Sequence, residues 1–180
     1  ASTVHLDEPD VVSGTPGPAT PRPVDADVLA KVAGGAYYDP HSVLGAHPFE
    51  GAVTVRALRP LATSVEVVLP GGARVPMAHE WDGVWVAVVE EPNVSDYRLA
   101  VTYEDTPEAI SDDPYRFLPT LGEIDLHLLR EGRHEQLWQV LGAHVRRYPG
   151  VVADVEGTSF AVWAPNAQAV RVVSDANQWI

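Results

Sequence analysis

Five tryptophans, Trp81, Trp85, Trp138, Trp163 and Trp179, are the side chains of this sequence best suited to hold a ligand. An indole offers a flat apolar face, which suits a sugar ring whose C–H faces are apolar and whose hydroxyls seek polar partners. Most tryptophans simply fill cores. Strand alternation singles out Trp163: if Phe160 and Val162 face inward, Ala161 and Trp163 face outward, leaving an indole ring with no core to explain it. Trp138, beside Leu137 and Leu141 in a helical pattern, is assigned to packing.

Other chemistries find little support. Work at a glycosidic bond usually needs two carboxyl groups, but Asp112-Asp113 and Glu90-Glu91 are sequence neighbours, and Asp112-Asp113-Pro114 reads as a turn. His41 and His47 are 47 − 41 = 6 apart and His127 and His134 are 134 − 127 = 7 apart, neither of which sets two imidazoles on one helical face. No G-x-S-x-G occurs, Gly71-Gly72 reads as a hairpin turn and Gly34-Gly35 as a helix stop, and zero cysteines exclude disulfides and a thiolate nucleophile. No catalytic residue, metal site or cofactor is expected.

The charge narrows the partners. With 25 acidic and 12 basic residues, the formal net charge is −13, which repels phosphate backbones and anionic headgroups. Nucleic acid and membrane are therefore not expected as partners. No apolar run is long enough to span a bilayer, and Asp7, Glu8 and Asp10 stand where a secretory signal would carry positive charge, so a cytoplasmic, monomeric protein is expected.

The elements that must position these residues follow from patterning. Residues 1–23 are rich in Pro, Ser, Thr and Gly and read as a disordered tail. Val28, Leu29 and Val32 predict a short helix closed by Gly34-Gly35, and 37–45 a structured loop. Between 53 and 103, four valine-rich strands are expected at 53–58, 65–69, 84–89 and 97–103, separated by turn residues. Strands in close succession without helices between them favour antiparallel pairing, so the fold class is mainly β: an immunoglobulin-like β-sandwich with short flanking helices. Ile124 with Leu128, and Leu137 with Val140 and Leu141, predict two further short helices. Residues 146–157 read as a connector, and 159–163 with 170–174 as a hairpin around Pro165-Asn166.

The chain also repeats itself. Aligning Pro60 with Pro165, an offset of 165 − 60 = 105, matches Ala62, Val65, Val67 and Val68 to Ala167, Val170, Val172 and Val173. Leu44-Gly45-Ala46-His47 recurs as Leu141-Gly142-Ala143-His144, an offset of 141 − 44 = 97. Two blocks repeated in the same order indicate a duplicated domain. The first copy's strands at 84–89 and 97–103, shifted by 105, would fall beyond residue 180, so a truncated second β-sandwich is expected.

The run from Asp112-Asp113-Pro114-Tyr115-Arg116-Phe117 through Glu123-Ile124-Asp125-Leu126-His127-Leu128 to Gln136-Leu137-Trp138 resembles the signature joining the two N-terminal modules of bacterial glycogen branching enzymes of glycoside hydrolase family 13. Asp39-Pro40-His41-Ser42-Val43-Leu44-Gly45-Ala46-His47-Pro48 is similar to the opening of the first module. Ser159-Phe160-Ala161-Val162-Trp163-Ala164-Pro165-Asn166-Ala167 is similar to that of the second, a family 48 carbohydrate-binding module. The later pattern G-D-F-N-G-W is met only in part, as Ser174-Asp175-Ala176-Asn177-Gln178-Trp179. The resemblance implies a tail at 1–23, a first module at 24–111, a helical link at 112–157 and the truncated start of the second module at 158–180. It implies a non-catalytic N-terminal fragment of a 1,4-alpha-glucan branching enzyme, with α-glucan (glycogen, amylose) as partner, Trp163 and Trp179 as carbohydrate-binding residues, and a catalytic (β/α)₈ barrel elsewhere in the parent protein. A stand-alone glucan-binding or enzyme-recruiting module is the alternative.

Overall fold

The structure is a computed structural model that describes residues 19–94, 96–150, 153–168 and 170–175. Helix α1, Ala26–Ala33, forms where Val28, Leu29 and Val32 set an apolar stripe at helical spacing, and it ends at Gly34 with Gly35 at φ 68. A single 3-10 turn at Pro40–Ser42 leads into β1, Gly45–Phe49. The strands β2 (Ala52–Leu58), β3 (Ala62–Val68), β4 (Arg74–Pro76), β5 (Ala78–Trp81), β6 (Val84–Val89), β7 (Arg98–Tyr103) and β8 (Ala109–Asp112) complete two four-stranded antiparallel sheets. Their orders are β1-β2-β6-β5 and β4-β3-β7-β8.

Alternation decides which side chains meet between the sheets. Val53, Val55 and Ala57 of β2 and Trp85, Ala87 and Val89 of β6 face Val65 and Val67 of β3 and Leu99 and Val101 of β7. Burying each valine or leucine contributes about 1.5–3 kcal/mol, so this cluster dominates the module's stability. β2 is buried on both faces, because Leu29 and Val32 of α1 join Val43, Leu44 and Val84 in a second, smaller core on the outer side of the first sheet. Within the expected tail, residues 19–23 lie along that outer face: the Arg22 amide donates to Thr54 Oγ1 at 2.8 Å, and Arg56 Nη2 donates to the Arg22 carbonyl at 2.7 Å. Arg56, 1% exposed, also pairs with Glu80 at 2.6 Å.

After β8 and a 3-10 turn at Pro114–Arg116, the chain forms α2 (Glu123–Arg130), a one-turn helix α3 (Leu137–Val140), and the hairpin of β9 (Gly142–Tyr148) and β10 (Val155–Ala161). This stretch repeats the first module's opening residue by residue. The offset of 97 carries α1 onto α2 (26 + 97 = 123, 33 + 97 = 130) and Gly35 at φ 68 onto Gly132 at φ 66. Hydrogen bonds repeat with it: the Ala36 amide to the Lys31 carbonyl becomes Arg133 to Leu128, and Leu44 to Pro40 becomes Leu141 to Leu137. Gly45 pairs with Arg56 and Gly142 with Ala161; Phe49 pairs with Ala52 and Arg146 with Gly157. The register of the first hairpin is thus kept, with 105 − 97 = 8 residues added at its tip.

Four expected strands form as β2, β3, β6 and β7, and the sandwich is antiparallel throughout. Five more strands lay outside the reading: β1 was hidden in a loop-like run ending in Pro48, β4, β5 and β8 are short edge strands, and β9 with the start of β10 takes up both ends of the connector expected at 146–157. The hairpin expected from 159–163 and 170–174 is corrected, since 170–173 carries no strand and β10 pairs back onto β9. The first copy explains why. β2 and β3 belong to different sheets and cross over at Pro60, so their counterparts around Pro165 have no reason to pair.

Candidate functional site

The segment leaving β8 is held at its start by a buried polar anchor. Tyr97 Oη donates to Asp113 Oδ2 at 2.6 Å, both residues being fully buried, and Asp113 Oδ1 accepts the Tyr115 amide at 3.2 Å. Burial, reinforced by the adjacent Asp113 carboxylate, pushes the Tyr97 phenol far above its ordinary range, so it stays a donor. Arg116 Nη1 donates to the Tyr97 carbonyl at 2.9 Å, and its guanidinium lies 4.7 Å from the centre of the Phe117 ring. His41 Nε2 donates to the Phe117 carbonyl at 3.1 Å, while its ring packs edge-on against Tyr115. Phe117 is thereby held at its ring by Arg116 and at its carbonyl by His41.

Opposite it stands the β9–β10 hairpin. Its covered face carries His144, Arg146 and Tyr148 from β9 with Val155 and Ser159 from β10, all half-buried, whereas Val145 and Phe160 on the other face are 86% and 55% exposed. Arg146 Nε donates to Ser159 Oγ at 3.2 Å, and the Tyr148 ring sits 4.6 Å from that of Phe117 at 36°. Between hairpin and segment lies a groove of about 440 Å³, within the range of small-ligand sites. Phe117 and Tyr148 give it an aromatic wall, and His41, Thr120, Arg146 and Ser159 give it polar groups, while Thr158 and Phe160 border it from strand positions whose side chains alternate to the other face; among the described residues no carboxylate lines it.

A second recess of about 280 Å³ lies between Asp96, Arg98, Asp112 and Arg116 on one side and Asp154 and Glu156 on the other. Its charges are cross-paired, with Arg116 3.1 Å from Asp112 and 3.9 Å from Asp96. It resembles a charged seam more than a ligand site.

The tryptophans fall in different places. Trp163 lies just past the end of β10 and is 46% exposed. Phe160 and Val162, expected inward, are exposed as well, because no second sheet covers β10 among the described residues. Trp179 lies outside the described residues. Trp138, assigned to packing, is instead 72% exposed. It occupies the place of His41 (41 + 97 = 138), which in the first copy packs on Tyr115, and α3 is a single turn with no buried residue. Trp85 fills the core and donates its indole N–H to the Arg59 carbonyl, while Trp81 sits on edge strand β5. The groove was not foreseen; Phe117 and Tyr148 are distant in sequence and no spacing pattern joins them. Asp112-Asp113-Pro114 does form the expected turn, with Asp113 as its cap. Among the described residues, no helix is long and apolar enough to cross a membrane.

Two family models match. Residues 25–115 match the alpha-1,4-glucan branching enzyme GlgB, N-terminal domain, and residues 140–180 match Carbohydrate-binding module 48 (Isoamylase N-terminal domain). The 1,4-alpha-glucan branching enzyme GlgB of Thermobifida fusca (strain YX) is 57% identical over 154 residues, covering 86% of this chain and 20% of that protein. The enzyme of the same name from Rhodococcus jostii (strain RHA1) is 50% identical over 159 residues, covering 88% and 21%. The chain thus spans about a fifth of the length of the curated relatives it matches. A pullulanase from Paenibacillus barengoltzii complexed with maltotriose shares 25% identity over 37% of this chain and 12% of that one, at a TM-score of 0.31, too low to support a conclusion. The first family match covers 115 − 25 + 1 = 91 of 180 residues, and the chain belongs to the family of alpha-1,4-glucan branching enzyme N-terminal domains.

Proposed function

We propose that this chain is the non-catalytic N-terminal part of a 1,4-alpha-glucan branching enzyme, which holds α-glucan for a catalytic barrel located elsewhere in that protein. The parent reaction moves an α-1,4-glucan segment onto a 6-hydroxyl to make an α-1,6 branch. The observation that carries the reading is the pair of consecutive matches, a branching-enzyme N-terminal domain followed by a carbohydrate-binding module. In this reading residues 1–23 are the tail, 24–111 the first module, 112–157 the link, and 158–180 the start of the second module, and the protein works as a cytoplasmic monomer. Trp163 and Trp179 are its glucan-contacting residues. Half exposure of Trp163 supports its role, since an indole face open to solvent can stack on a pyranose ring.

The test is electrophoresis in native gels containing glycogen. The chain should be retarded relative to a glycogen-free gel, and Trp163→Ala should remove most of the retardation. Iodine staining of amylose incubated with the chain should show no branching. Unchanged mobility in glycogen would overturn the glucan role, and branching by this chain would overturn the assignment of catalysis elsewhere.

A further inference from the structure

We propose that the groove between residues 114–120 and the β9–β10 hairpin is a second α-glucan subsite, distinct from Trp163, created by divergence between the two copies of the duplicated opening. The inference rests on the glucan reading above and adds a site to it.

The first copy shows what fills the equivalent region. There the segment preceding the helix crosses the hairpin's outer face with Arg22 and Arg56 as its two large side chains: Arg56 is buried beneath the segment and Arg22 Nη2 reaches the Ser42 carbonyl. Arg56 Nη1 and Arg22 Nε are buried with no partner among the described residues, so these two side chains fill the interface between segment and hairpin. In the second copy the corresponding residues are Pro119 (22 + 97 = 119) and Ala161 (56 + 105 = 161). Both arginines are lost, Ser159 takes the place of Thr54 (54 + 105 = 159), and the segment and hairpin enclose an open groove.

The lining selects the ligand. Phe117 and Tyr148, whose rings pack against each other 4.6 Å apart, form one apolar wall, and polar groups come from the Thr120 hydroxyl, the Ser159 Oγ and the Arg146 guanidinium. Although the chain's net charge is −13, no carboxylate among the described residues lines this groove, so its polar side chains are uncharged or cationic. An aromatic wall flanked by hydroxyl and guanidinium groups fits a neutral polyhydroxylated ring, and the volume of about 440 Å³ admits a short stretch of one.

Gly157 supplies a clean test. It lies on the groove face of β10 opposite Arg146, its φ is not in the left-handed region, and a Cβ built on it meets nothing within 4 Å. Gly157→Leu should therefore fold and plug the groove. Maltoheptaose binding to the full chain is measured by isothermal titration calorimetry for wild type, Gly157→Leu, Phe117→Leu and Trp163→Ala. The expected result is at least a tenfold loss of affinity in Gly157→Leu, a severalfold loss in Phe117→Leu, and an additive loss when Gly157→Leu is combined with Trp163→Ala. Wild-type binding left within twofold by both groove variants would overturn the groove while the glucan reading stands. No binding by wild type would overturn both.

Discussion

Gly45 and Gly142 begin equivalent strands with nearly the same backbone, φ 90 and φ 96, yet substitution should cost very different amounts. Moving an alanine to positive φ costs about 1–3 kcal/mol at either site. At Gly45 a second cost applies, because a Cβ would stand 2.6 Å from the Tyr115 carbonyl oxygen and 3.3 Å from the Tyr115 Cβ. That carbonyl belongs to the turn pinned by Asp113, so the clash is relieved only by moving buried backbone, an overpacking cost of about 1–3 kcal/mol more. At Gly142 a Cβ would meet nothing within 4 Å. Gly45→Ala should thus lose about 2–6 kcal/mol and Gly142→Ala about 1–3 kcal/mol. With a urea slope of about 2 kcal/mol/M, a 4 kcal/mol loss moves the first module's midpoint down by about 2 M. Urea unfolding followed by circular dichroism measures the first variant, and amide exchange across 142–148 the second. A Gly45→Ala midpoint within about 0.5 M of wild type would refute the argument that the turn is rigid.

Three further expectations use the same assay. Tyr97→Phe leaves the buried Asp113 carboxylate without its 2.6 Å donor and should cost about 1.5–3 kcal/mol; a neutral result would show that the anchor does not hold the turn. Arg56→Ala strips Glu80 of its partner and frees residues 19–24 from the sheet, at about 3–5 kcal/mol, with proteolysis at 19–24 as the second readout. Burial holds the His47 imidazole below its ordinary value of 6.5, and the Arg22 and Arg56 charges act the same way against the raising effect of the bond to the Leu44 carbonyl. In the window from 6.5 down to that lowered value the unfolded chain binds more protons than the folded one, so stability falls as pH drops from 7.5 to 5.5. His47→Gln should flatten that slope, and an equal slope in both proteins would refute the assignment.

The sequence betrayed the strands that are buried on at least one face and uninterrupted, namely β2, β3, β6 and β7, since valine runs report such burial directly. It concealed β1, whose Pro48 and half-buried pattern look like loop, and the edge strands β4, β5 and β8, which carry Arg74, Pro76, His79 and Glu80 rather than aliphatic residues. The repeat was legible only where side chains matched. Across 26–43 and 123–140 almost none do, although the helix, the positive-φ glycine and the backbone hydrogen bonds coincide. Helical hydrogen bonding demands spacing and a terminator, not identity, so Leu29 and Val32 can become Leu126 and Leu129 while every exposed position drifts. Trp163 was legible as an exposed ring. The groove was not, because its walls meet only through the Asp113 anchor and the added residues of the second hairpin.

What survived duplication separates scaffold from site. The Leu-Gly-Ala-His block kept both of its special features: a glycine at positive φ where the strand begins, and a histidine whose Nε2 donates to the carbonyl three residues back, His47 to Leu44 and His144 to Leu141, each at 3.0 Å. A carbonyl accepts only, so each imidazole must carry its proton on Nε2, and the ring staples the strand's first residues to the preceding turn. That device sets the entry angle of a hairpin and is needed equally by both copies. Arg22 and Arg56, which seal the first copy's outer face, were not kept. A seal is needed only where the face is closed, and replacing it by Pro119 and Ala161 costs the second copy no staple and no register. The two copies therefore share a hairpin built the same way but differ in whether its outer face is filled by protein or left open to a ligand.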